Sequence, residues 1–203
     1  MRFEAAGLTR RLGERTLFED FSLTLDAGES VVIEAPSGAG KTLLLRLLAW
    51  LEPPDQGMVR LDGRTPSEWG VPEWRSRVTY VAQRPSVLNG TPAEHAAHVA
   101  RLVAQRSRGA RDPIEIGLRW DLPAAVWSRP WARLSGGEQQ RAALAISLSR
   151  QPDVLLLDEP TSALDADAAG KVEQDLRGRQ LIWVTHDATQ AKRVADRAVG
   201  LRR

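Results

Sequence analysis

The stretch IEAPSGAGKT, Ile33–Thr42, carries the residue types that hold a phosphate. It follows the pattern G-x-x-x-x-G-K-S/T with one departure, Ala35 in place of the first glycine. A loop of small residues can wrap backbone N–H groups around phosphate oxygens, and a helix N-terminus behind it adds a favourable dipole. In that arrangement Ala35, Pro36, Ser37, Gly38, Ala39 and Gly40 line the nucleotide. Lys41 neutralises the β- and γ-phosphates, and the Thr42 hydroxyl ligates Mg²⁺. A plain strand-to-helix turn would read the same way. A second stretch, VLLLDEPT (Val154–Thr161), is an apolar strand that ends in two carboxylates. At the C-terminal edge of a parallel sheet, where ligands bind, Asp158 can hold Mg²⁺ and Glu159 can polarise an attacking water. A carboxylate there also often only caps the next turn. The third stretch, LSGGEQQR (Leu134–Arg141), is a capping box from Ser135 to Glu138 with two glycines that bare the helix N-terminus, an end that attracts anions.

The elements that must position these residues are short and alternating. SVVIEA (Ser30–Ala35) is β-branched and predicts a buried parallel strand, followed by a helix over Thr42–Leu51 that stops at Pro53 and Pro54. Met58–Leu61 and Arg77–Ala82 predict two more strands. Thr91-Pro92-Ala93-Glu94 is a capping box with proline at the first helical position, opening a helix through about Gln105. Arg108–Trp131 is irregular with at most short helices, and a further helix runs from Gly136 to about Arg150. Strands then return at Val154–Asp158, Leu181–Thr185 and Ala198–Leu201, with a helix from about Ala166. The expected division is one α/β domain over 1–203, with a core of 1–83 and 151–203 and a helical insertion over 84–150.

Composition sets the outer limits. At 203 residues, with 42% hydrophobic and 27% charged, the chain suits one globular domain with a real core. It has no cysteine, which excludes disulfides, thiolate metal sites and cysteine nucleophiles. A formal charge of +2 is close to balance, so charge gives no argument for a nucleic-acid partner. The arginines between Arg101 and Arg111 read as a solvated loop. No apolar stretch approaches the roughly 20 residues that span a bilayer, so membrane work would need another chain. The seven tryptophans are scattered, and packing is the expected role of each.

Taken in order, these stretches resemble the ATP-binding subunit of an ABC transporter. LSGGEQQR matches that family's signature, Gln83 in YVAQ falls at its Q-loop, Ser162–Asp165 at its D-loop, and His186 in VTHD at its switch histidine. The resemblance covers essentially the whole chain. It implies an α/β fold of the phosphate-loop NTPase type, with a mainly parallel sheet core, an antiparallel β subdomain and an inserted helical subdomain. It also implies a Mg²⁺-dependent ATPase in which two such subunits pair head to tail around two ATP molecules. Ser135, Gly136, Gly137 and Glu138 would then contact the partner's ATP, with Asp165 in the D-loop. Gln83 would sense Mg²⁺ and the γ-phosphate while its loop meets a multi-span membrane permease. His186 would hydrogen-bond the γ-phosphate and position the water near Glu159, although a surface histidine after a strand is the blander reading. The implied location is the cytoplasmic face of the cell membrane. The chain stops at Arg203, just after the expected last strand, so no regulatory domain is expected.

Two departures from the family pattern bear on the nucleotide. If Ala35 takes positive φ, it costs about 1–2 kcal/mol against glycine, and with negative φ almost nothing. Leu12, before Gly13, stands where the family usually has an aromatic stacked on adenine. Within the family, YVAQRPSVLNGTPAEH (Tyr80–His95) looks most like ATPases of the iron- or metal-export type, and is similar to exporter subunits generally. The competing readings are a non-transport ABC-type ATPase, which lacks support because no long coiled coil fits, and a regulatory nucleotide-binding subunit. Glu159 and His186 together argue against the latter.

Overall fold

The computed structural model describes residues 1–85, 89–106 and 108–201. Its first strands, β1 (Phe3–Leu12) and β2 (Arg15–Leu25), form an antiparallel hairpin closed through Gly13 and Glu14. In β2 the alternation of Phe21, Leu23 and Leu25 puts apolar side chains on one face, where all three are buried. β1 is less regular, with register shifts on both sides of Leu8. Two further strands and a helix follow: β3 (Ser30–Glu34), α1 (Lys41–Leu48) and β4 (Gln56–Leu61). β4 pairs antiparallel with β1, giving a three-stranded sheet in the order β2-β1-β4. Gly57 must be glycine there, because a Cβ would lie 2.4 Å from the Gly7 carbonyl oxygen.

Next come α2 (Pro66–Trp69), α3 (Val71–Arg77) and β5 (Val78–Val81). Then follow α4 (Pro92–Arg101), α5 (Pro113–Arg119), α6 (Gly136–Ser149), β6 (Val154–Asp158), α7 (Ala166–Leu176), β7 (Leu181–Val184), α8 (Ala188–Val194) and β8 (Arg197–Gly200). The second sheet runs β5-β6-β7-β3-β8, with parallel pairing at β6–β7, β7–β3 and β3–β8. β6 and β7 are buried at every residue, the expected state of strands covered on both faces. The fold is thus the α/β arrangement expected, a parallel core with a separate antiparallel sheet.

The chain divides into two compact units. One holds Met1–Tyr80, Asp153–Asp158 and Arg177–Arg203, and the other Val81–Pro152 with Glu159–Leu176. The first contains a core of Phe3, Leu8, Phe18, Ile33, Leu44, Trp74, Leu156 and Ile182, all fully buried. The indole N–H of Trp74 donates to the Leu48 carbonyl at 3.1 Å, which satisfies the polar end of a buried ring. The second unit is mainly helical. Trp120, Trp127 and Trp131 are buried there, as expected of packing residues. Thr91 and Ser135 each cap a helix with a reciprocal glutamate, Glu94 and Glu138.

Candidate functional site

In the first unit, the loop between β3 and α1 takes its shape from two glycines. Gly38 has φ +72° and Gly40 φ +94°, values that side-chain-bearing residues rarely adopt. Ala35 needs no such freedom, since among the described residues the non-glycine positions with positive φ are Asp20, Trp50, Asp62, Asp121, Gln151 and Glu159. Alanine therefore costs the loop almost nothing. Pro36, Ser37 and Gly38 form its rim and are exposed, and Ala39 is buried. The first helical bond runs from Leu44 N to Gly40 O at 2.8 Å. The N–H groups at the start of such a helix have no helical carbonyl to reach and are left for a ligand. Lys41 is buried to 7% exposure, and its ammonium donates to the carbonyls of Ala35 at 2.7 Å and Pro36 at 3.2 Å. The loop is thereby held around its own cation.

Four further candidates share this unit. Asp158 closes β6, is 3% exposed, and accepts a hydrogen bond on Oδ2 from the Tyr80 hydroxyl at 3.1 Å. Burial, reinforced by the facing Asp158 carboxylate, pushes the Tyr80 hydroxyl above its ordinary value, so it stays protonated and donates. Thr42 is exposed at the second position of α1. His186 is exposed just beyond β7, and the next residue, Asp187, caps α8 by accepting from Thr189 N and Gln190 N. Leu12 is 55% exposed at the hairpin end. Phe3 and Phe18 are fully buried and belong to the core.

The second unit holds the remaining candidates. Ser135 accepts from Glu138 N at 3.3 Å, and Glu138 accepts from Ser135 N at 2.7 Å. That backbone donor, with smaller help from the Ser135 hydroxyl and Arg129, holds the Glu138 carboxyl below its usual value against a weaker effect of burial. Gly136 and Gly137 bare the start of α6, and a Cβ on Gly137 would lie 3.0 Å from the Ala163 carbonyl oxygen. Gln83 is exposed. Asp165 accepts from Ala168 N at 2.9 Å at the start of α7, and this bond holds its carboxyl low. Glu159 has φ +49°, a left-handed conformation that costs about 1–2 kcal/mol for a residue with a side chain. Its carbonyl accepts from Ser162 N at 3.1 Å and from Gln140 Nε2 at 2.9 Å, which offsets that strain.

The sequence profile of the ABC transporter family matches residues 18–162. The chain belongs to this family, as its ATP-binding subunit. A probable anion import ATP-binding protein of Haloferax volcanii is 36% identical over 97% of this chain and 75% of its own length. An aliphatic sulfonates import ATP-binding protein of Nocardia farcinica is 39% identical, over 97% of this chain and 76% of its own. An Fe(3+) ions import ATP-binding protein of Rhodococcus jostii is 37% identical over 98% of this chain, which spans 59% of that relative. Among solved structures, a dimeric ATP-binding cassette in a post-hydrolysis state, bound to ADP and Pi, superposes with TM-score 0.82 at 26% identity, covering 98% of this chain and 94% of that one. The ATP-binding subunit of another ABC transporter gives TM-score 0.85 at 22% identity over 100% and 86% of the two chains, a likeness of fold. The chain is an ABC ATPase whose ATP hydrolysis powers transport.

Two residues of this ABC ATPase do not stand out from its sequence motifs. Tyr80 is the single tyrosine of the chain and lies three residues before Gln83, with nothing in the sequence to pair it with Asp158. Gln140 lies inside the signature, and there a signal was present. It stands four and eight residues before Leu144 and Leu148, so it falls on the buried face of α6. A glutamine in an apolar stripe needs partners. Oxygen donors of the first unit also suit Mg²⁺, a hard ion that prefers carboxylate, hydroxyl and phosphate oxygens and keeps several waters. Asp158, buried and steadied by Tyr80, and the exposed Thr42 hydroxyl fit that demand.

Proposed function

We propose that this ABC ATPase hydrolyses Mg²⁺-ATP as one half of a head-to-tail pair and drives a separate multi-span membrane subunit at the cytoplasmic face of the membrane. The carrying observation is the loop Ala35–Thr42, shaped by Gly38 and Gly40 around the buried Lys41 ammonium. In this reading the loop and Lys41 bind the β- and γ-phosphates, and Leu12 covers the adenine. Thr42, Asp158 and Gln83 would hold Mg²⁺, which supplies charge neutralisation at the phosphates. Glu159 polarises the attacking water, and His186 and Gln83 contact the γ-phosphate. Ser135, Gly136, Gly137 and Glu138 present the start of α6 to the partner's ATP, with Asp165 in the D-loop. Support for pairing comes from the dimeric ATP-binding cassette that shares the fold. Among the described residues no helix is long and apolar enough to cross a membrane, which is compatible with work through another chain.

For direction we infer uptake. The three relatives described above are named as import subunits. The export reading rests on Tyr80–His95, of which Ser86, Val87 and Leu88 lie outside the described residues. Deleting the gene and measuring cell iron tests the metal-export reading, because loss of a metal exporter raises the content, whereas loss of an iron importer lowers it and loss of an importer of another solute leaves it unchanged.

The ATPase reading is tested with Glu159→Gln. The variant should keep ATP binding, lose turnover, and form a dimer by size-exclusion chromatography only when ATP is present. Hydrolysis at the parent rate would sink the role given to Glu159.

A further inference from the structure

The Gln140 side chain is 1% exposed and makes three hydrogen bonds. Its Nε2 donates to the carbonyls of Gln83 at 3.2 Å and Glu159 at 2.9 Å. Its Oε1 accepts from the backbone N–H of Ala163 at 3.0 Å. The partners fix this orientation of the amide, since a flipped group would set its oxygen against two carbonyls and its NH₂ against an N–H. All four residues lie in the same unit.

The three backbone atoms belong to three different functional stretches. Gln83 is the Q-loop residue, Glu159 follows the β6 carboxylate, and Ala163 lies in the D-loop. The amide that ties them stands on α6, one turn from Gly136 and Gly137. Gly137 itself approaches the same Ala163 closely, since a Cβ added to it would lie 3.0 Å from the Ala163 carbonyl oxygen. The Ala163 N–H is therefore held by a side chain, while its carbonyl leaves little room for any side chain at position 137. At Glu159 the Gln140 donor meets a carbonyl whose residue sits in a strained, left-handed conformation. Strain of that kind persists only where the surroundings over-determine it.

We propose that Gln140 is a positioning residue for hydrolysis. It fixes the backbone of Glu159 and Gln83 to the start of α6, so that the end of the subunit facing the partner's ATP is joined to the group acting on its own. It touches neither nucleotide nor water, and it acts through the peptide groups it holds. This rests on the water-polarising role given to Glu159 above. Nucleotide binding itself belongs to the loop Ala35–Thr42 and does not depend on the Gln140 amide.

The test is Gln140→Met, which keeps the volume and removes all three hydrogen bonds, with Gln140→Asn as a milder variant that withdraws the amide by one methylene. A misplaced reacting group costs on the order of 10- to 100-fold in rate. Both variants should therefore lose kcat on that scale, while KM for ATP and ADP affinity by calorimetry stay within about twofold, inside ordinary mutational scatter. The Ala163 amide should exchange its hydrogen faster by NMR, because local opening no longer breaks a side-chain bond. Parent kcat in either folded variant overturns the inference. So does a loss of ADP affinity in step with kcat, which marks a merely structural role. The exchange measurement needs no turnover, so unchanged Ala163 exchange in Gln140→Met counts against Gln140, whereas normal hydrolysis by Glu159→Gln counts against Glu159.

Discussion

The hydroxyl of Tyr80 donates to Oδ2 of Asp158 at 3.1 Å, joining the penultimate residue of β5 to the carboxylate that ends β6. A buried carboxylate that is to hold a metal needs its second oxygen fixed, and outer partners of this kind commonly set metal affinity by about 10- to 100-fold. Tyr80→Phe keeps the ring and removes only the donor. The Mg²⁺ concentration for half-maximal ATPase activity should rise on the order of tenfold, with ATP binding in the absence of metal unchanged. Titrating activity against Mg²⁺ for parent and variant checks this, and superimposed curves would show that Asp158 needs no help from Tyr80.

Lys41 has two jobs that one substitution removes together. Its ammonium is the positive charge expected at the phosphates, and it also bonds the carbonyls of Ala35 and Pro36 that shape the loop. A charge-assisted hydrogen bond contributes about 1.5–3 kcal/mol, so Lys41→Ala should weaken ATP by roughly 10- to 100-fold. Lys41→Arg should not restore binding, because a planar fork cannot occupy a site built for a compact ammonium. Calorimetric titration of ATP into the three proteins decides it, and full affinity in Lys41→Ala would remove the loop assignment.

Much of the fold around the candidate site was legible because its signals are local. The apolar runs at β3, β6 and β7 are continuous and sit next to their loops, and the capping boxes at Thr91 and Ser135 form as written. β1 was not legible, since Gly7 and the register shifts around Leu8 break the two-residue alternation. α2 is hard to read although Thr65-Pro66-Ser67-Glu68 carries the same capping signal as Thr91, because the helix it opens is only four residues long. The left-handed Glu159 and the partners of Gln140 depend on contacts between stretches distant in sequence, Gln83, Gln140 and Glu159 among them. Periodicity carries no information about which carbonyl a buried amide will meet.

The capping box at α6 has a pH signature. Glu138 is held low chiefly by the Ser135 N–H, while in the unfolded chain it titrates near its ordinary value of about 4.3. A depressed folded value means the stability it contributes is present above the unfolded value and is lost as pH falls through the folded one. Glu138→Ala should therefore lower stability at pH 7 by about 0.5–1 kcal/mol, a cap-sized effect reduced by partial exposure. In acid below the folded value, where the parent carboxyl is protonated as well, the two proteins should converge. Urea midpoints at both pH values test the sign, and a gap that persists in acid would place the effect in packing instead.

The last test concerns the base end of the nucleotide. Leu12 is 55% exposed at the tip of the β1–β2 hairpin, so its position is open to a ligand, but an aliphatic side chain covers a purine without stacking on it. Phe18, an aromatic beside the loop, is fully buried, with its ring 3.3 Å from where a Cβ on Gly40 would stand, and is committed to packing. Ala35 lies outside the positive-φ region and leaves the loop intact, so the phosphate end retains its full set of groups. Binding should then depend on the triphosphate more than on the base. GTP should compete with ATP within about tenfold, the ratio that roughly 1.4 kcal/mol of discrimination gives. Leu12→Tyr should tighten ATP by about 0.5–1.5 kcal/mol, the scale of an added aromatic stack. Titrating both nucleotides against both proteins reads this directly. A strong ATP preference in the parent, unchanged by Leu12→Tyr, would move the adenine to another residue.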